Sequence, residues 1–447
     1  MTDAAANTPR RHGSLIQVDE RTRRRNAAEA RFRIYGQIAI GIGILALIVL
    51  LTSIVSNGFS SFRQTFLYLD VQLDEKVLDK SGTRDLEVMK KVTTIGYGKL
   101  VTKALESAIE DKAIVVDGLS KKDVTDMISK EAAALVRNRV LAHPDLVGQT
   151  VAFKVLANGR IDGYMKGRVT AASAERDSNV SPNQLILADA MQEAGLLKKS
   201  FNWGFITAAD ASELRPEAAG LGVAILGSVY MMMIVLVLSL PIGVATSIYL
   251  EEFAPRNRWT DLIEVNISNL AAVPSIVFGI LGLSIFINFA GLPQSAPIVG
   301  GLVLTLMTLP RIIIPTRAAL NAVPPSIRDA ALGVGASKMQ SIMHHVLPLA
   351  MPGILTGMII GLAQALGETA PLLLIGMVAF VRDFPGAPPD GFFDPAAALP
   401  VQVYNWTQRS DPAFVERASG AIIVLLIFLM VMNFVAILLR NRFERRW

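Results

Sequence analysis

The sequence contains no cysteine. Disulfides, thiolate zinc sites and cysteine nucleophiles are therefore excluded, and the redox compartment cannot be read from it. Charge is also scarce: charged residues make up 18% of the 447, against about a quarter in soluble chains. With 52% hydrophobic residues, that shortfall argues against a soluble enzyme, a disordered chain or a small secreted module. No G-x-x-x-x-G-K-[ST] loop occurs, because Gly96-Tyr97-Gly98-Lys99 runs into Leu100 and no leading glycine sits at the right offset. The chain is expected to hydrolyse no ATP itself. Histidine is rare and no metal-binding cluster stands out. His143 is isolated, and His344 and His345, adjacent on a helix, point about 100° apart and chelate poorly.

What the chain has is apolar length. The first apolar block, 36–56, is roughly 20 residues, enough to cross a bilayer core of about 30 Å. It is long for a signal-peptide core and no small-residue cleavage site follows, so it reads as an uncleaved anchor. The basic segment 1–35 before it carries Arg10, Arg11, Arg21, Arg23, Arg24, Arg25, Arg31 and Arg33 and most of the net charge of +5. Nucleic-acid binding or disorder would also suit such a run. Its place beside a span favours a topology signal, with the N-terminus cytoplasmic. Five further blocks follow, near 219–249, 266–289, 297–319, 350–379 and 418–439. Six spans would return the tail 441–447 to the cytoplasm, where Arg442, Arg445 and Arg446, with Arg440 just before them, fit the same rule. Arg382, Arg409 and Arg417, in an expected outer loop, fit it least.

Between the first two spans lies a charge-rich segment, 57–215, the length of one domain and near neutral overall. The pattern predicts an amphipathic helix over 121–140 and a strand over 150–156. It predicts a hairpin turn at Asn158-Gly159 into a strand over 161–169, and a helix over 184–198. The reading is a mixed α/β domain, outside the membrane if the N-terminus is inside. Trp203 and Trp259 fit interfacial anchors, and Met231–Met233 reads as packing or lipid-facing rather than a cofactor site.

Two intramembrane charges need an explanation, because such groups cost about 2.5–3.5 kcal/mol on insertion scales. Arg311 lies beside Pro310 in the fourth block, and Glu368 in the fifth, with Gln364 one turn earlier and Thr369 next to it. A guanidinium binds an oxyanion bidentately, so Arg311 could meet an anion while Glu368 gates. Alternatively the two form a structural ion pair. Arg317, nearer the end of its span, can snorkel.

The segment 321–348 holds DAALGVGASKMQSIMHHVLP, which reads as a helix–glycine–helix elbow in which Gly333 and Gly335 interrupt the helix. It resembles the coupling loop of ABC importer permeases, with Asp329, Ala330, Ala331, Gly335, Leu347 and Pro348 at the matching positions. Asp329 replaces a glutamate there and His345 an aliphatic residue. LAQALGETAPLLLIG (362–376), LPIGVATSIYLEEFAP (240–255) and AAVPSIVFGILGL (271–283) are similar to segments of the PstA family of phosphate-importer permeases. The segment 201–222 resembles the exit of an extra N-terminal domain in one subgroup.

The resemblance implies an α-helical bacterial inner-membrane protein: six transmembrane helices of the ABC importer permease type, with the α/β domain inserted after the first and periplasmic. It implies phosphate as cargo, carried by alternating access. It implies four kinds of partner besides lipid: a second, PstC-like permease chain, a PstB-like ATPase dimer that hydrolyses ATP with Mg, a PstS-like periplasmic phosphate-binding protein, and phosphate itself. Nucleic acid is not among them, and no cofactor is expected on this chain. Sulfate or molybdate is the nearest alternative cargo. A receptor should carry a cytoplasmic signalling domain, and a gradient-driven carrier needs no coupling elbow.

Overall fold

The computed structural model describes residues 20–79, 82–177, 179–378 and 380–443. Arg10, Arg11, Arg445 and Arg446 lie outside them. The chain forms two units, one ending at Ser56 and one starting at Asn57. The described residues of the first all lie in helix α1 (Glu20–Gly58), which begins well inside the expected basic tail. Alanine, arginine and glutamate, all good helix formers, carry the helix through that stretch.

The inserted domain is a three-stranded antiparallel sheet with strand order β2-β1-β3. β1 (Arg63–Gln72) is central, pairing Leu67 with Val155 of β2 (Thr150–Leu156) and with Leu197 of β3 (Leu197–Phe201). Alternation along β1 sends Leu67, Leu69 and Val71 into a core with α2 (Thr94–Asp111), α3 (Glu131–Ala142), α4 (Gly159–Met165) and α5 (Pro182–Glu193). Tyr97, from the glycine-flanked stretch that mimics half a phosphate loop, is fully buried inside α2.

Three expectations for this domain change. The strand over 161–169 is instead the helix α4, because the Asn158 side chain accepts a hydrogen bond from the Arg160 amide and caps a helix rather than turning a hairpin. The helix over 121–140 breaks after Thr125, where Ile128 bridges to Ala157 and the Ser129 amide donates to the Leu156 carbonyl. Backbone pairing at the sheet outweighs the helical pattern there. The helix over 184–198 stops at Glu193; Gly195, at φ +77°, turns the chain into β3.

Five described helices are long and apolar enough to span a membrane, or six if one bent pair counts as a span. They include α6 (Gly222–Ile248), α9 (Pro297–Asn321), α11 (Lys338–Gly367) and α14 (Pro412–Phe443), which follows the shorter α13 (Leu399–Gln408). The bent pair is α7 (Arg258–Ala271) with α8 (Ser275–Leu281, continued to Phe289 by a wider π turn), and the bend is 105°. The block expected to cross at 266–289 is therefore broken. Pro274 removes a helical N–H donor and pushes Val273 out of the helical region.

The insert and the helices are joined by a buried polar junction. Arg417 of α14 is 3% exposed and donates to the carbonyls of Ala219 and Glu217 and to Gln64 Oε1. Its neighbour Glu416 pairs with Lys166 at 2.9 Å and Arg168 at 2.7 Å, and both cations also meet Asp162. Thr65 donates its backbone N–H to Asp162, and Ser61 donates to the Glu416 carbonyl. Arg409 pairs with Asp210 at 2.7 Å. Of the three ill-placed arginines, Arg409 is thus neutralised by an acid of the insert's exit, and Arg417 is held by neutral acceptors of the insert and its exit.

Candidate functional site: an elbow and a charged cavity

The elbow begins with α10 (Pro325–Gly333) and resumes at Lys338 in α11. Between them Gly335 sits at φ +89°. Its N–H donates to the Leu332 carbonyl at 3.0 Å and that of Ala336 to the Ala331 carbonyl at 3.1 Å, the paired bonds of a Schellman stop. A left-handed residue is required there, which is the physical reason for glycine. No neighbouring atom lies within 4 Å of a Cβ built at Gly333 or Gly335, so the need at Gly335 is conformational, not spatial. Ser337 and Gln340 form a capping box that restarts the helix.

Beneath the elbow, Ile342, Val346, Ala350 and Ile354 pack on Ile248 of α6, on Leu320 of α9 and on Val323 just after it. Leu347 and Pro348 are half-buried at this seam, and Ala331 is buried. Asp329 and Ala330 face outward. So do apolar side chains that the motif did not single out: Val334 is 86% exposed, and Leu332, Met339 and Met343 are exposed as well. Exposed apolar residues grouped at a turn are the kind of surface that partners cover.

In the membrane half, Arg311 of α9 lines a cavity of about 530 Å³ with Pro315, Pro352, Gly353, Thr356, Gly357, Ile360 and Arg440. Its Nη1 lies 3.8 Å from Glu368 Oε1, an ion pair too long to be a hydrogen bond. That Nη1 is buried and makes no hydrogen bond. Glu368 does not sit within a helix as expected. α11 ends at Gly367, Glu368 is extended (φ −74°, ψ 131°), and a short helix α12 (Ala370–Leu374) follows. Thr369 precedes α12 without a side-chain capping bond, and Gln364 is exposed. The structure therefore brings Arg311 and Glu368 together but puts the carboxylate at a helix break. Pro371 has no N–H to bond the Gly367 carbonyl four residues earlier, and its ring crowds that carbonyl, so the helix stops there. Arg440 is a lining residue that sequence reasoning placed only as a topology charge. Nothing in its flanking sequence ties it to Arg311.

Apolar spanning helices, a cavity with guanidinium groups in its wall and a rigid exposed elbow define a membrane transport subunit. Comparison with known proteins narrows the class. Residues 239–447 match the model of binding-protein-dependent transport system inner membrane components, and residues 19–175 match a domain of unknown function, DUF3333. The probable ABC transporter permease protein YqgI of Bacillus subtilis is 34% identical over 230 residues, 49% of this chain and 78% of the relative. The phosphate transport system permease protein PstA 1 of Mycobacterium tuberculosis is 32% identical over 229 residues, 51% of this chain and 73% of that protein. PstA of Xylella fastidiosa is 30% identical over 228 residues, 51% and 77%. The chain belongs to the binding-protein-dependent transport system inner membrane components, the permease subunits of ABC transporters, and carries an extra N-terminal domain.

Proposed function

We propose that this permease moves inorganic phosphate inward across the bacterial inner membrane by alternating access. The observation that carries the reading is the Arg311 guanidinium in the cavity wall, with a buried Nη1 that makes no hydrogen bond. A tetrahedral oxyanion supplies the acceptors that this group lacks. Glu368, at the helix break, holds Arg311 while the cavity is empty and competes with the anion for it. The PstA names of the relatives support phosphate over other oxyanions. Elbow residues Asp329, Ala330, Ala331, Gly335, Leu347 and Pro348, with the exposed Val334, would meet an ATPase dimer that hydrolyses Mg-ATP. A second permease chain would complete the pathway, and a periplasmic phosphate-binding protein would deliver cargo. The N- and C-termini would be cytoplasmic and the insert periplasmic. The chain itself would carry no catalytic site.

The test is uptake by the complex reconstituted with its ATPase, companion permease and binding protein, using labelled phosphate and sulfate with and without ATP. ATP-dependent phosphate uptake is expected, falling at least tenfold in Arg311→Ala and less in Arg311→Lys, roughly the loss of one charged hydrogen-bond partner. Normal uptake by assembled Arg311→Ala would remove Arg311 from the pathway. Sulfate uptake in preference to phosphate would replace the cargo.

A further inference from the structure

The Glu251-Glu252 pair, in the LEEFAP stretch at the elbow end of α6, takes no part in the cavity or the elbow surface. Both carboxylates are nonetheless engaged. Arg328, in the first turn of α10, donates to Glu252 Oε1 through Nη2 at 2.6 Å and through Nε at 3.0 Å. The same guanidinium donates to the carbonyls of Leu320 and Val323 where α9 ends. One side chain thus joins the elbow helix to the ends of two spanning helices. Lys338, across the elbow, lies 5.1 Å from the ring centroid of Phe253, the next residue but one after Glu251. Glu251 turns the other way. It accepts from Arg317 of α9 at 3.1 Å, and Arg317 also donates to Glu264 of α7 at 2.8 Å. The chain around the pair is a π turn, Tyr249–Phe253, which places the two adjacent carboxylates against different partners.

We propose that Glu252 and Arg328 are the positioning pair through which displacement of the elbow pulls on α6, and that Glu251, Arg317 and Glu264 pass the movement to α7 and α9. This rests on the reading of the elbow as the ATPase contact. The apolar seam under the elbow resists separation but not sliding, because apolar contact has no preferred direction. A forked guanidinium with four hydrogen bonds to the ends of two other elements fixes direction as well as distance. The charged relay is what turns a shift of α10 into a shift of spanning helices rather than slippage over them.

The test uses the full complex in proteoliposomes. Because the chain has no cysteine, Val334→Cys gives a single reporter at the elbow tip, and its protection from a maleimide reads ATPase engagement. In that background Glu252→Arg and Arg328→Glu are expected to leave Val334→Cys protected and ATP hydrolysis running. Phosphate taken up per ATP should fall about tenfold, the scale of a coupling free energy. The double swap should recover most of it, and Arg328→Lys should lose less than Arg328→Glu. Glu252→Gln, which keeps size and an acceptor oxygen, tests the charge if the reversals fail to insert, and is expected to uncouple in the same direction. Uptake per ATP unchanged in Glu252→Gln or Glu252→Arg, with Val334→Cys protected, overturns the relay alone. Val334→Cys labelled equally with and without the ATPase overturns the elbow reading and the relay with it.

Discussion

Replacing Arg417 by methionine should release the inserted domain from the last spanning helix. The side chain is fully enclosed and supplies the donors for three acceptors, the carbonyls of Ala219 and Glu217 and Gln64 Oε1. Methionine fills much of the space but donates nothing. A buried acceptor left without a donor costs about 1–3 kcal/mol. The junction also loses a cation from a cluster in which Asp162, Glu217 and Glu416 face Lys166, Arg168 and Arg417. Breaking such a network at one member costs about 3–5 kcal/mol, although exchanging a whole buried network for apolar groups can be neutral. The cost should appear as local opening rather than global unfolding, because the insert has its own core. Hydrogen exchange followed by mass spectrometry on the segments around β1 and the 197–221 exit reads it directly. A loss of 3–5 kcal/mol accelerates exchange there by about two to four powers of ten, at 1.36 kcal/mol per decade. Arg417→Lys, which keeps the charge but not the fork, should accelerate it less. Acceleration below about tenfold in Arg417→Met would refute the view that these bonds hold the insert in place.

Two other outcomes follow from the same junction. Burial pushes the Glu217 carboxyl above the ordinary carboxylate range, against the opposing pull of the Ser129 hydrogen bond and of Arg417. The folded junction therefore binds more protons than the open one in the window between the two values, so its stability falls as pH rises through that window. Exchange at the junction should accelerate with pH beyond its intrinsic pH dependence, and Glu217→Gln should abolish that excess. Gly420 of α14 presents its backbone to the insert: a Cβ built there would lie 2.7 Å from Ser61 Cβ and 2.8 Å from Phe205 Cζ. Gly420→Val should cost about 1–3 kcal/mol by overpacking, read as a lower melting temperature of the purified chain, whereas Gly333→Val, with open space around it, should not act by crowding.

Much of the fold was legible because its signals are local. An apolar run long enough to cross a bilayer has few other places to go, since its backbone groups must pair within the run. The elbow was legible for the same reason: its glycines and its Leu347-Pro348 exit into a span are read within a short stretch of chain. The failures were places where two local signals compete. Asn158-Gly159 fits a hairpin turn and a helix cap equally well, and strand pairing at Ile128 decided against a continuous helix. Glu368 was read as helical from periodicity, although Pro371 follows closely enough to break the helix.

Sequence by itself determined which segments are apolar, where the charge-rich domain is inserted and which short motif could form the elbow. These are properties of neighbouring residues and their spacing. Only the tertiary structure decided what each buried charge is for. Arg417 meets Gln64 across 353 positions of sequence, Arg328 meets Glu252 across 76, and Arg311 shares a cavity wall with Arg440. Electrostatic partnership depends on distance and burial in space, and neither is written in the spacing of residues along the chain.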